Sequence, residues 1–234
     1  MSELSANVAL IGPEAHHLRD VLRLKQGAPV EAFDGRGNFA RGHVESVTRD
    51  AVNLALGQAE ASKSEASVRL TLAVALLKGD KLADVVRPAT ELGVHGFTLL
   101  KTTYADVADL PAARRSRLDR IAEEAARQCG RAVVPKIDGP ISLGELLARD
   151  EAAEPGRALI VADPRASHTL GEARALLAGA TAATVVTGPE GGLSMEEVRM
   201  LEDAGAAAVG LGPRILRAET APVALAAALL LGAG

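Results

Sequence analysis

One cysteine, Cys129, and no tryptophan occur in the 234 residues of this chain. A single cysteine excludes any disulfide within the chain and points to a reducing compartment, so a cytoplasmic protein is expected. Aromatic residues make up only 2% of the chain, too few for the stacked aromatic platforms that hold single-stranded nucleic acid. No apolar run reaches the roughly 18–20 residues needed to cross a bilayer. The opening MSELSANVALIGPE lacks a basic stretch followed by an apolar one, so no secretory leader is expected either. Positive charge is not in excess: 26 Lys and Arg face 30 Asp and Glu, a net charge of −4. That balance argues against a general nucleic-acid binder. The common nucleotide motifs are also missing. No GxxxxGK[ST] is present, and GLGPRI (210–215) puts Ile215 where a dinucleotide fingerprint needs its third glycine. His16, His17, His43, His95 and His168 show no ligand spacing, so no metal site is expected. Cys129 falls in the last turn of a predicted helix with no base near it, which suits packing better than nucleophilic catalysis.

What is present is an ordinary core-forming composition, 48% hydrophobic and 24% charged, in two parts. Residues 8–56 contain short β-prone segments at Pro29–Phe33, Phe39–Ser46 and Ala51–Leu56. FDGRGNF (33–39) reads as a hairpin turn between two of them. Ahead of these, EAHHLRDVLRL (14–24) places Leu18, Val21 and Leu22 on one helical face, so a small barrel with an early helix is predicted. The polar stretch GQAEASKSEAS (57–67) is the linker candidate. From Val68 the pattern changes to strands alternating with helices. The strands are VRLTLAVALL (68–77), FTLL (97–100), ALIVA (158–162), ATVVT (183–187) and AAVGL (207–211). The clearest helices cover 80–94, with Gly93 as its stop and a kink expected at Pro88, and 112–130. Such alternation predicts an α/β fold with a mainly parallel sheet. The two predicted domains are residues 1–66 and 67–234.

Ligands of parallel sheets sit beyond the carboxyl ends of the strands, which here carry ADPRAS (162–167), GPEGG (188–192) and GLGPRILRAETAP (210–222). In VVTGPEGGLSMEEV (185–198) the strand hands over to a helix whose start is marked by Ser194 and Glu197, a capping-box pair. Gly188, Gly191 and Gly192 between them permit positive φ and close approach of a ligand to backbone, and the free N–H groups of the helix start favour polar or anionic ligand groups. An isolated glycine-rich loop is often only a turn; two on successive strands of one sheet point to a small-molecule site. Basic residues cluster at Arg114, Arg115, Arg117, Arg120, Arg127 and Arg131. They form either a solvated helix face, paired in part with Glu123 and Glu124, or a stripe that contacts phosphates.

GPEGGLSMEEV followed by VGLGPRILRAETAP resembles the carboxy-terminal signature of the RsmE family, bacterial 16S ribosomal RNA uridine-N3 methyltransferases of the SPOUT superfamily. The likeness extends through LLKGDKLADVVRPATELGV (76–94), EEAARQCGRAVVPKI (123–137) and HHLRDVLRLKQGAPVEAFDGRGN (16–38). ADPRAS is less typical of the family, and Cys129 stands where serine is more common. The resemblance implies a PUA-like β-barrel domain followed by an α/β domain with a SPOUT-type trefoil knot. It further implies S-adenosylmethionine as cofactor, 16S RNA of the small ribosomal subunit as substrate, and a homodimer with its pocket near the subunit interface. Gly188, Glu190, Gly191 and Gly192 would then form one cofactor loop, and Leu211, Gly212, Ile215 and Leu216 the loop enclosing the adenine.

Methylation at uridine N3 requires an unpaired or flipped base, loss of the N3 proton and stabilisation of the charge that develops on the uracil oxygens. The sulfonium cofactor makes a metal unnecessary. Arg217 is the candidate for the stabilising cation or for a grip on the adjacent phosphate, with Glu219 orienting it through a charge-assisted pair; the general base is unassigned. RNA contacts are expected from Arg23, Lys25 and Arg36 in the first domain and from Arg114, Arg115, Arg117 and Arg131 in the second. Two alternatives stay open: a related enzyme acting on another nucleotide position, such as a ribose 2′-hydroxyl, and a non-catalytic RNA-binding or ribosome-assembly protein.

Overall fold

In the computed structural model, which describes residue 4, residues 6–151 and residues 156–231, the chain divides into two units. Met1–Glu65 together with Gly130–Val133 form the first, and Ala66–Cys129 with Val134–Gly234 the second.

Period-two alternation builds the first unit. Strands β1 (Asn7–Ile11), β2 (Pro29–Phe33), β3 (Asn38–Val47) and β4 (Ala51–Leu56) pair antiparallel in the order β1-β4-β3-β2. Val44, Val52, Leu54 and Leu56 point inward and meet Ala15 and Ala40 in a small core. The β2–β3 turn is held by Asp34, whose carboxylate accepts the backbone N–H groups of Arg36 at 2.7 Å and Asn38 at 3.0 Å. This is the side-chain turn chemistry that favours Asp there.

The early helix is shorter than its periodicity suggests. α1 (Gly12–His16) runs into a single π-helical turn, His17–Val21, and Arg23 follows with φ 53. The wider turn rotates residues off the α-helical face. Leu18 still packs on the core, whereas Val21 and Leu22 are 60% and 52% exposed.

The polar stretch 57–67 is not a free tether. β5 (Glu60–Ala61) pairs with β3, and the Ser62 N–H donates to the Gly37 carbonyl at 2.8 Å. Glu65 accepts from the Arg131 guanidinium at 2.6 Å and from the Val133 N–H at 3.2 Å. Gly130–Val133, which follows a long helix of the second unit, therefore belongs to the first. The pairing joins residues 66 positions apart in sequence, and no local pattern encodes it.

The second unit is a six-stranded parallel sheet in the order β11-β9-β10-β6-β7-β8. Its strands are β6 (Arg69–Ala75), β7 (Gly96–Lys101), β8 (Lys136–Ser142), β9 (Arg157–Ala162), β10 (Ala182–Thr187) and β11 (Ala207–Val209). Its helices are α2 (Lys81–Glu91), α3 (Ala112–Cys129), α4 (Leu143–Glu151), α5 (Leu170–Leu176), α6 (Met195–Asp203) and α7 (Thr220–Leu230). Both faces of the sheet are covered, so central strands read as continuous apolar runs rather than alternating ones. Leu70, Leu72 and Val74 face α2, α3 and α7, while Ala73, Val161 and Val186 face α4 and α6. α2 continues through Pro88 and stops at Gly93, φ 97, where the Val94 N–H returns to the Ala89 carbonyl at 3.0 Å.

Periodicity does not reveal β8, KIDGPIS. It is an edge strand with an irregular register around Gly139, where a Cβ would lie 2.5 Å from the Leu99 carbonyl oxygen. Gly and Pro are tolerated at such an edge, and they conceal the strand.

Candidate functional site

The carboxyl ends of β9, β10 and β11 open onto one cavity of about 660 Å³, within the range of small-molecule sites. Its walls come from the three loops that the sequence singles out: 162–165 after β9, 188–195 after β10 and 209–219 after β11. The strand order brings them together, because β9 lies between β10 and β11. All eight residues expected at the cofactor, Gly188, Glu190, Gly191, Gly192, Leu211, Gly212, Ile215 and Leu216, line it, as do Arg217 and Glu219.

The β10 loop is shaped by backbone requirements. A Cβ on Gly188 would fall 2.8 Å from the backbone carbon of Gly192 and from the Leu193 nitrogen, and one on Gly191 would fall 2.9 Å from the Tyr104 Cβ. Gly192 has open space around it but φ 74. Three glycines thus answer three different constraints. The loop ends at a full capping box: Ser194 accepts the Glu197 N–H at 3.1 Å, and Glu197 accepts the Ser194 N–H at 2.8 Å. Glu197 also accepts the Thr103 N–H at 2.7 Å, which fastens the start of α6 to the loop after β7.

Three carboxylates line the cavity, and they differ in how fully they are satisfied. Asp163 receives the Arg165 guanidinium at 2.8 Å and the Arg165 N–H at 3.0 Å. Burial pushes its carboxyl upward, but these bonds outweigh burial and hold it below the ordinary carboxylate range. Glu190 accepts from Lys81 Nζ at 2.8 Å and from the Lys78 N–H at 3.2 Å. The same contest between burial and bonding leaves it lowered as well. Glu219 is different. Its Oε1 lies 3.9 Å from Arg217 and its Oε2 lies 3.7 Å from Lys81, and Oε2 is buried without a hydrogen-bond partner. Thr187 Oγ1, at the end of β10, is likewise buried and unpartnered. Orphaned polar atoms on a cavity wall are places for ligand groups to bond.

Arg217 is 85% exposed. It stands at the cavity mouth, and its separation from Glu219 is too long for the orienting hydrogen bond expected between them. Lys81 is the cation nearest to Glu219 Oε2. Ile215 is also 85% exposed, so it borders the opening without enclosing anything in the chain alone. Sequence reasoning missed Lys81, Tyr104 and Thr187 as cavity residues, and singled out the ADPRAS loop without naming its Asp163 or Arg165. Lys81 lies in the helix at 80–94, where only the apolar period was informative, and Asp163 and Arg165 lie in ADPRAS, which has no motif of its own.

The basic residues are dispersed. Arg114 donates to the Gly79 carbonyl, and Arg117 pairs with Asp80. Arg115 bonds Asp119 at 3.2 Å and the Gly139 carbonyl at 3.1 Å. Arg131 requires a correction: its side chain is 4% exposed and held by Glu65, so it is not available to a phosphate. Its chain turns away from the helix at Gly130, φ 75, and leaves the stripe. Arg23, Lys25 and Arg36 lie in the first unit. Among the described residues no cluster could hold a metal ion, and no helix is long and apolar enough to cross a membrane.

Comparison with known proteins places this geometry. A family model described as an RNA methyltransferase domain matches residues 64–230, and one described as an RNA methyltransferase PUA domain matches residues 10–56. Ribosomal RNA small subunit methyltransferase E of Bacillus subtilis is 32% identical over 240 residues, covering 94% of this chain and 88% of the relative. The protein of the same name from Mycobacterium bovis is 32% identical over 238 residues, covering 100% of this chain and 87% of the relative. A crystal structure of the Neisseria gonorrhoeae protein of that name, bound to S-adenosylmethionine, superposes with a TM-score of 0.86. It is 27% identical and covers 97% of this chain and 93% of its own. A putative methyltransferase from Legionella pneumophila, also with bound S-adenosylmethionine, superposes at 0.81 with 27% identity, covering 97% of this chain and 93% of its own.

Proposed function

From the premise that this chain belongs to the RNA methyltransferases, and within them to the ribosomal RNA small subunit methyltransferase E proteins, we propose that it methylates N3 of a uridine in 16S RNA of the small ribosomal subunit. The observation that carries this reading is the cavity where both signature loops meet, with backbone crowding at Gly188 and a buried, unbonded oxygen at Thr187.

These features fit S-adenosylmethionine. Gly188, Glu190, Gly191 and Gly192 hold it from the β10 side, and Leu211, Gly212, Ile215 and Leu216 from the β11 side. The group supplies, when bound, a methyl carbon made electrophilic by its sulfonium sulfur. The residues of the chain do the rest: they exclude water from the cavity floor, orient the base and manage its proton. Arg217, exposed at the mouth, is placed to meet a phosphate or a uracil oxygen of the incoming RNA.

The chain acts as a homodimer in the cytoplasm, where small subunits are assembled. Tyr104, Met195 and Ile215 are 52%, 53% and 85% exposed around the opening, an apolar rim suited to a second protein surface. Mass mapping of small-subunit RNA from a deletion strain tests the activity. Loss of one 3-methyluridine, restored by the gene, is expected; an unchanged nucleoside map overturns the reading.

RNA is held through phosphates, by Arg23, Lys25 and Arg36 of the first unit and by Arg114, Arg115 and Arg117 of the second. With so few aromatic side chains, recognition rests on shape and backbone. Each neutralised phosphate releases counterions, so affinity falls steeply with salt. Replacing Arg114, Arg115 and Arg117 together with alanine should flatten the salt slope of small-subunit binding while cofactor affinity holds. A slope identical to that of the unaltered protein would make these arginines structural, each occupied by its own intrachain partner.

A further inference from the structure

We propose that Glu219 takes the N3 proton of the target uridine, a role that rests on the uridine-N3 reading above. The cavity presents three carboxylates, and two are already committed. Asp163 is clamped by Arg165 through side chain and backbone, and Glu190 bonds Lys81 and the Lys78 N–H. Of the three, only Glu219 has an oxygen that is buried and without a hydrogen-bond partner. Its side chain is 15% exposed, and it stands just before α7, in the loop that also carries Arg217. The phenol of Tyr104, also on the wall, is 52% exposed.

The unbonded oxygen of Glu219 is suited to an N–H donor. A uridine presenting its N3–H edge supplies one, whereas a base with no N–H at that edge leaves the carboxylate as it is. The step balances. The N3 proton passes to the Glu219 carboxylate and its bonding pair stays on nitrogen. That pair forms the new N–C bond as the bond from the methyl carbon to sulfur breaks, with its electrons going to sulfur. The proton then leaves to solvent through the mouth of the cavity. Two cations face the carboxylate, Lys81 from α2 at 3.7 Å and Arg217 from its own loop at 3.9 Å. The committed Glu190 stands beyond Lys81, across the cavity.

Glu219→Gln keeps the shape and removes the acceptor. Turnover on small subunits lacking the modification should fall about 100-fold or more, the usual contribution of a general base. The loss should shrink as pH rises, with the rate of the variant climbing about tenfold per pH unit as solvent hydroxide replaces the side chain. Calorimetry should show S-adenosylmethionine affinity unchanged, and Glu219→Asp should restore part of the rate. A cofactor-binding role predicts the opposite pattern, with affinity lost and the pH profile unmoved, and would overturn the proposal, as would a variant as fast as the unaltered enzyme. Mass analysis of the product formed by the unaltered enzyme separates this outcome from failure of the functional reading. Normal 3-methyluridine with an indifferent Glu219→Gln rejects only the base, whereas a different methylated nucleoside rejects the reading itself.

Discussion

Gly188→Val is expected to weaken S-adenosylmethionine binding by about 100-fold, read by calorimetry, in a protein whose sheet remains folded. A Cβ at this position would sit 2.8 Å from two backbone atoms of Gly192 and Leu193, and neither can swing aside as a side-chain tip would. Relief must come from moving the loop outward, which reshapes the cavity wall. Overpacking of this kind costs about 1–3 kcal/mol, and 1.4 kcal/mol is a factor of ten in affinity, so the upper end of the range gives the expected loss. The capping box at Ser194 and Glu197 holds the far end of the loop and keeps the damage out of α6. Gly192→Ala makes the informative contrast. Nothing lies within 4 Å of its Cβ position, and only φ 74 opposes the substitution, a strain of about 1–3 kcal/mol with no steric clash. Equal affinity for Gly188→Val and the unaltered protein would remove this loop from the cofactor site.

Arg131→Ala should destabilise the first unit by about 3 kcal/mol, because removing one partner of a buried ion pair strands the other. The guanidinium is 4% exposed and Glu65 is 23% exposed. Glu65 keeps only the Val133 N–H among the bonds described above when the arginine is lost. Urea or thermal unfolding followed by circular dichroism measures the effect. Arg127→Ala is the control, since its pair with Glu123 spans 3.4 Å between side chains that are 55% and 43% exposed. Pairs of that kind contribute about 0–1 kcal/mol. Similar losses for the two variants would show that the Arg131 pair does not tie Gly130–Val133 to the first unit. Binding of S-adenosylmethionine should survive Arg131→Ala, because every residue lining the cavity belongs to the second unit.

Much of this protein is legible in its sequence because the relevant signals are local. Strand periods at β2, β3 and β4, the continuous apolar runs of β6, β9 and β10, the glycine stops of α2 and α3 and the Ser194–Glu197 box each depend on residues a few positions apart. The two glycine-rich signatures also announce a ligand loop, since positive φ and backbone crowding demand glycine wherever the chain goes next. Tertiary structure decided what depends on distant partners. Whether Arg131 faces solvent or Glu65, whether 57–67 is a tether or part of a sheet, and whether Lys81 stands beside Glu190 and Glu219 are questions of pairing across 66, 21 to 23 and more than 100 positions respectively. An ion pair or an edge strand leaves no periodic trace in either of its separated halves. The sequence alone could therefore name the loops that build the cavity, but only the order β11-β9-β10-β6 could bring their ends together and show which of three carboxylates was left without a donor.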